Sequence, residues 1–334
     1  MGTRCDSYGI WRTRDSSQLP PRKVIVGTMV RGFWGESPGL DRRLGELTGM
    51  IGTMARQARS RYGRGLDLAV LPESVVNGEP GSDAFSHSNP LSGPVEHAFA
   101  EASRRHHCWI VAAMNLLENA KHRICSNAAV LFDRRGRVAG IYRKMHPVPT
   151  RPGIPFHLEG GMTPGREAPV FECDFGRLGM QICYDVEFDE GWNQLAQRNA
   201  DLVAWTTQSP QIARPCARAL RHGFYIVSST WKCNASVFAP TGWVQAQVRP
   251  PNRLLVTEID LSWALLGWAP NLRNGAALRE RFGKRVGFRY EETEDRGIFW
   301  SNDPRIPIGR MARAAGFWEW AAENARASRL YRRR

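Results

Sequence analysis

Strands that alternate with amphipathic helices predict an α/β layered fold, and strands that follow one another across short turns predict mixed sheets. Leu40, Leu44, Leu47, Ile51, Met54, Ala55 and Ala58 recur at helical spacing between two apolar runs, Val24 to Val30 and Leu66 to Leu71. Ala128 to Phe132 and Val138 to Tyr142 read as neighbouring strands joined by a turn.

Taken in order, Met1 to Arg22 is polar and aperiodic and reads as an N-terminal extension, 1–22, ahead of the first strand. Ser37-Pro38 is the start signal of the first helix, and the strand after that helix ends at Glu73. The next unit holds a helix from Val95 to Arg105, a strand from Cys108 to Met114 and the two hairpin strands, with Lys144 just past the second of them. Gly176 to Ile182 is a strand, Glu187 to Arg198 a helix, Leu202 to Trp205 a strand, Gln211 to His222 a helix and Phe224 to Ser229 a strand. Ser236 to Trp243 and Arg253 to Ile259 supply late strands. A main domain over 23–268 follows, with a Trp- and Arg-containing C-terminal tail over 269–334.

The chain has 334 residues, 42% of them hydrophobic, enough for a substantial core. Its formal net charge of +14 would suit a nucleic-acid or membrane-surface partner. The basic residues are scattered, however, and only the end, Leu330 to Arg334, is a tight cluster. They read as solvated surface. No apolar stretch approaches the roughly 20 residues that span a bilayer, and Met1 to Pro21 lacks a signal peptide's apolar core, so a cytoplasmic protein is expected. Seven cysteines without a C-x-x-C pair suggest neither a disulfide framework nor a zinc site.

Three residues at wide spacing each end an apolar run: Glu73 in Leu71-Pro72-Glu73, Lys144 in Tyr142-Arg143-Lys144-Met145-His146, and Cys183 in Gly179-Met180-Gln181-Ile182-Cys183-Tyr184-Asp185. A carboxylate, an ammonium and a thiol on three strand ends can make a nucleophile with its own base and oxyanion stabiliser. Each taken alone reads more readily as a solvated carboxylate, a surface lysine or a structural thiol. Their flanks separate the two readings. Asp67-Leu-Ala-Val-Leu-Pro72 before the glutamate, Tyr-Arg-Lys-x-His around the lysine and Gly-x-x-Ile-Cys-Tyr-Asp-x-x-Phe-x-Glu around the cysteine resemble the carbon-nitrogen hydrolase (nitrilase) superfamily.

That resemblance covers roughly Val24 to Ile259 and implies a four-layer αββα sandwich of two mixed sheets flanked by helices. It implies cleavage of a non-peptide amide, carbamoyl or nitrile bond by a Glu-Lys-Cys triad, with no metal or organic cofactor. Glu73 would be the general base and acid, Cys183 the nucleophile, and Lys144 with the backbone N–H of Tyr184 the oxyanion site. Family members often carry a second glutamate, for which Glu159 before Thr163-Pro164-Gly165 is the candidate. Trp205, Thr206 and His146 are candidates for lining the pocket, with Trp205 equally readable as a core aromatic. Tyr184 next to the nucleophile resembles the amidase and carbamoylase side of the family. A small-molecule amide or carbamoyl substrate and a homodimer or higher homo-oligomer are implied, the tail packing at the interface through Phe317, Trp318 and Trp320. Two regions depart from the family pattern: the proline-rich His146 to His157, and Arg218-Ala219-Leu220-Arg221-His222 with Ser229-Thr230.

Nitrile hydrolysis and acyl transfer to an amine would use the same triad. A binding protein on a retired scaffold would not need it complete, and nucleic-acid binding would call for interleaved aromatic and basic residues that the chain lacks.

Overall fold

The computed structural model describes residues 16–32, 38–78, 83–149 and 158–331. Ser37, Cys5, most of the proline-rich stretch and the terminal arginines lie outside them. The first half of the chain contains β1 (Lys23–Met29), α1 (Leu40–Tyr62), β2 (Leu68–Val70), α2 (Pro94–His106), β3 (Trp109–Asn119), β4 (Ile124–Phe132) and β5 (Val138–Arg143). Next come β6 (Val170–Cys173), β7 (Gly176–Ile182), α3 (Glu190–Gln197), β8 (Leu202–Thr206), α4 (Ala213–His222), β9 (Tyr225–Ser229), β10 (Ala235–Phe238), β11 (Val244–Val248) and β12 (Leu254–Asp260).

These strands form two six-stranded mixed sheets, ordered β12-β1-β2-β3-β4-β5 and β6-β7-β8-β9-β10-β11. Read in those directions, both sheets begin with an antiparallel pair, continue with two parallel pairs and end with two antiparallel pairs. The chain therefore builds one strand-helix-strand-helix-strand-strand-strand unit twice. The αββα sandwich expected from the family resemblance is the fold observed.

Period-two alternation sorts the side chains of the first sheet into two interfaces. Val24, Val26, Leu68, Val70, Val111, Ala129 and Leu131 meet Leu178, Met180, Ile182, Leu202 and Ala204 between the sheets. The residues between them, Ile25, Ala69, Ile110, Ala112, Val130 and Phe132, pack with the helices. α1 buries Leu44, Leu47, Ile51, Met54, Ala55 and Ala58, the stripe read from its sequence, and closes on Gly63 in the left-handed conformation. Each large aliphatic residue buried there contributes about 1.5–3 kcal/mol.

Where sequence and structure differ, the cause is local. The apolar run from Ser236 to Trp243 is broken by a turn in which Ala239 N–H donates to Trp243 C=O at 2.8 Å, giving β10 and a separate β11. The helix expected from Glu187 begins later, because Cys183–Glu187 is a 3-10 turn that ends at extended Phe188. Residues 16–22 of the extension are tied down: Arg22 holds Asp201 at 3.1 Å through both Nη atoms, and Ser16 Oγ reaches Glu319 at 2.6 Å.

Past β12 comes β13 (Trp263–Gly267), and the segment read as a tail carries regular structure of its own: α5 (Ala276–Phe282), β14 (Val286–Glu291), β15 (Arg296–Ser301), α6 (Ile308–Ala314) and α7 (Trp320–Tyr331). β13-β15-β14 is an antiparallel sheet over a third core that includes Leu266, Leu278, Phe299, Met311 and Phe317. Of the three aromatic anchors, Phe317 is buried in that core, Trp320 packs where Gly267 leaves room, and Trp318 is exposed. No helix among the described residues is long and apolar enough to cross a membrane.

Candidate active site

Three strand ends bring the expected residues together. Glu73 follows β2, Lys144 follows β5 and Cys183 follows β7, the first two from one sheet and the third from the other. Lys144 Nζ donates to Glu73 Oε1 at 2.8 Å, with both side chains almost wholly buried. The Cys183 thiol lies within the influence of Glu73, Lys144, the Thr207 hydroxyl and the Gln208 N–H, all of which act on its titration. Glu159 joins the cluster: its Oε1 accepts Lys144 Nζ as well as Val148 N–H at 3.0 Å.

Non-glycine residues with positive φ mark this cluster. Cys183 sits at φ 41°, Ser74 beside Glu73 at φ 47°, and Glu159 at φ 40°. Each such conformation costs on the order of 1–2 kcal/mol and persists only where its surroundings over-determine it. Hydrogen bonds to the backbone supply that determination. Trp205 Nε1 donates to the Cys183 carbonyl at 3.1 Å, and Trp231 Nε1 donates to the Glu73 carbonyl at 2.7 Å.

The electrostatics follow from burial. Burial pushes the Cys183 thiol up to about 12; the Glu73 charge adds to this, and Lys144, Thr207 and Gln208 oppose it. The thiol therefore rests protonated at neutral pH. Burial also raises the Glu73 carboxyl above its ordinary range, against the pull of Lys144 and with help from the Glu159 charge. For Lys144 burial works against the charge, but Glu73, Glu159 and Cys183 outweigh it and hold the ammonium well above its ordinary value. A protonated lysine thus lies beside a neutral thiol and a carboxyl primed to take a proton.

The remaining candidates are placed unequally. Trp205 belongs both to the buried core around the second sheet, on the face it shares with Gln181, and to the Cys183 turn. Tyr184 is the second residue of that turn, its ring edge-on to Phe188 at 5.3 Å. His146 stacks on Phe188 at 4.0 Å and binds Asp185 Oδ1 through its backbone N–H and its Nδ1, both at 2.9 Å. Thr206 is fully buried in β8, and the hydroxyl that reaches the thiol belongs to its neighbour Thr207. Successive strand residues face opposite ways, so a one-residue misplacement changes the face.

Five residues of the cluster went unread in the sequence: Asn127, Asp185, Thr207, Gln208 and Trp231. Asn127 and Asp185 had a visible signal, since each is a polar residue bordering an apolar run. Gln208 N–H donates to Glu73 Oε2 at 3.2 Å, and Asn127 Nδ2 to Glu73 Oε1 at 2.9 Å. Among the described residues no group of three or more His, Cys, Asp or Glu side chains is placed to hold a metal ion. As an arrangement, a thiol, a carboxyl and an ammonium around one point can carry acyl transfer through a covalent intermediate.

Comparison with known proteins agrees with this fold. The formamidase of Pseudomonas syringae pv. syringae is 31% identical over 159 residues, 47% of this chain and 44% of that protein. The human deaminated glutathione amidase is 26% identical over 239 residues, covering 63% of this chain and 72% of that protein. The chain spans about half the length of several of the proteins it matches, the formamidase among them. Among solved structures, Saccharomyces cerevisiae Nit3, described as a member of branch 10 of the nitrilase superfamily, matches with a TM-score of 0.61 at 18% identity, covering 80% of this chain and 97% of that one. An amidase from Nesterenkonia sp. matches with a TM-score of 0.60 at 19% identity, covering 72% and 91%. The family model described as carbon-nitrogen hydrolase matches residues 40–264, well over half of the sequence. With that match, the chain belongs to the carbon-nitrogen hydrolase family of the nitrilase superfamily.

Proposed function

We propose that this protein hydrolyses a non-peptide carbon-nitrogen bond, an amide or N-carbamoyl group of a small molecule, through a thioester on Cys183. The observation that carries this reading is the convergence of Glu73 and Lys144 on the Cys183 thiol from three strand ends.

Because the thiol is neutral at rest, attack needs a base in contact with it. Glu73 takes the proton as sulfur attacks the carbonyl carbon. Lys144 and the Tyr184 N–H stabilise the oxyanion, and Glu159 holds the ammonium in place and charged. Glu73 then protonates the departing ammonia or amine, leaving the thioester. Water attacks this thioester with Glu73 again as base, and the acid leaves with Cys183 restored. The formamidase and amidase relatives support an amide rather than a nitrile substrate, as does Tyr184 beside the nucleophile.

The six described cysteines are free, which supports the reducing cytoplasm as its location. Exposed Trp318, Leu330 and Tyr331 give the C-terminal segment 269–334 the apolar surface that a second copy would cover in a homo-oligomer. Sedimentation velocity of the full chain should give a dimer or larger, shifted toward monomer by Trp318→Ser.

Ammonia release from a panel of simple amides, N-carbamoyl amino acids and nitriles tests the activity. Wild type should act on an amide or a carbamoyl compound, and Cys183→Ala should lose at least about 10³-fold in rate. Release that survives in Cys183→Ala would overturn the reading.

A further inference from the structure

We infer that Asn127 is a positioning residue that holds the catalytic base in its working geometry: its side-chain amide bridges Glu73 and Glu159. The inference rests on the reading of Glu73 as base and deepens it by assigning the part that fixes its orientation.

Asn127 lies in β4 and is 2% exposed. Its Nδ2 donates to Glu73 Oε1 at 2.9 Å and to Glu159 Oε2 at 3.1 Å, which uses both hydrogens of the amide. Lys144 Nζ bridges the same two carboxylates from another side, through Glu73 Oε1 and Glu159 Oε1. Four side chains thus close a ring in which each carboxylate is held by one cation and one neutral donor. The backbone of Asn127 adds a further tie, because its carbonyl accepts Lys144 N–H at 2.8 Å. One residue therefore fixes the base through its amide and the ammonium's strand end through its carbonyl.

The residue type suits this work. Two carboxylates around one ammonium leave a negative charge that repels itself, and a second cation would remove it at the cost of pulling Glu73 down as a base. A third carboxylate would worsen the repulsion. A neutral amide holds both acids without either change. Its Oδ1 is buried and finds no partner among the described residues, so the side chain is oriented by its two N–H groups alone.

The bridge also selects the oxygen that carries the proton. Glu73 Oε1 already accepts Lys144 and Asn127, whereas among the described residues Oε2 accepts only the Gln208 N–H at 3.2 Å. As the S–H bond of Cys183 breaks and its electron pair stays on sulfur, the new O–H bond forms at Oε2. From there the proton passes to the leaving nitrogen.

The test is the pH dependence of Cys183 alkylation by iodoacetamide, resolved by mass mapping of the Cys183 peptide, in wild type, Glu73→Gln, Asn127→Leu and Asn127→Asp. Wild type should show an acid inflection from Glu73 that Glu73→Gln abolishes. Loss of the donor to the charged Glu73 carboxylate raises its pKa, so Asn127→Leu should move the inflection upward by about one pH unit. Asn127→Asp keeps the size, adds a negative charge and should move it the same way, which covers the case in which the leucine variant does not fold. With an active substrate, kcat should fall about 10²-fold and KM by no more than about threefold. If Glu73→Gln abolishes the inflection and a folded Asn127 variant leaves it in place, Asn127 is merely structural and the inference is overturned. If Glu73→Gln leaves the wild-type profile unchanged, the reading of Glu73 as base fails, and this inference with it.

Discussion

Tyr142 and Asp185 join the two sheets at the site: the phenol on β5 donates to Asp185 Oδ2 at 2.7 Å, and both residues are buried. Burial, and then the Asp185 charge, push the Tyr142 hydroxyl well above its ordinary range, so it remains a donor at any working pH. The same carboxylate accepts Ile182 N–H at 3.0 Å and both the backbone N–H and Nδ1 of His146 at 2.9 Å. Asp185 thereby pins the turn carrying Cys183 to the strand end carrying Lys144. Asp185→Asn replaces one acceptor oxygen with a donor that faces donors, and should cost about 2–4 kcal/mol of stability together with at least about tenfold in kcat. Tyr142→Phe should cost less, about 1–2 kcal/mol, since three donors to Asp185 remain. Urea unfolding with parallel kinetics checks both.

Lys144→Met leaves two carboxylates together in a buried site without their cation. Stability should fall by about 3–5 kcal/mol and kcat by at least about 10³-fold. Lys144→Arg should recover stability more than activity, because a planar guanidinium does not fit the space of an ammonium held between Glu73 and Glu159. Recovery of wild-type kcat in Lys144→Arg would rule out a role for the compact charge.

The pH profile of kcat/KM follows from the shifted groups. In the proposed mechanism Glu73 must be ionised to accept the thiol proton, and burial raises its carboxyl above the ordinary 4.5. Activity should therefore fall as pH drops through a midpoint above 4.5. On the alkaline side the thiol titrates only at about 12 and Lys144 well above 10.5, so activity should stay level to about pH 10. A midpoint at or below the ordinary carboxylate value would contradict this.

Glu159→Gln keeps the shape of the side chain and removes the charge that faces Lys144. It should lower kcat about 10²-fold with little change in KM. Cys183 should still be alkylated, since Glu73 keeps its contact with the thiol. Steady-state kinetics with the alkylation assay distinguishes this from general unfolding.

Much of the fold was legible because its signals are short-range. The stripe from Leu44 to Ala58 on α1 and the runs that end at Glu73, Lys144 and Cys183 are patterns within one element. The third sheet was hidden for physical reasons. β13 follows β12 after only two residues, too short a gap to hold a separating Gly- or Pro-rich turn signal, and β14 and β15 carry charged residues among their apolar ones. β11 is half-exposed along most of its length and lacks a strong apolar face. Within the site, Trp231 meets Glu73 across 158 positions and Asn127 meets it across 54. No periodicity encodes contacts that distant; they arise only once the two sheets pack.

The most direct measurement is the mass of the Cys183 peptide after acid quenching of the enzyme during turnover of an amide that it hydrolyses. The predicted result is an acyl group on Cys183 that forms before acid accumulates and is absent from Cys183→Ala. Steady turnover with no acyl on Cys183, or turnover undiminished in Cys183→Ala, would contradict the thioester mechanism.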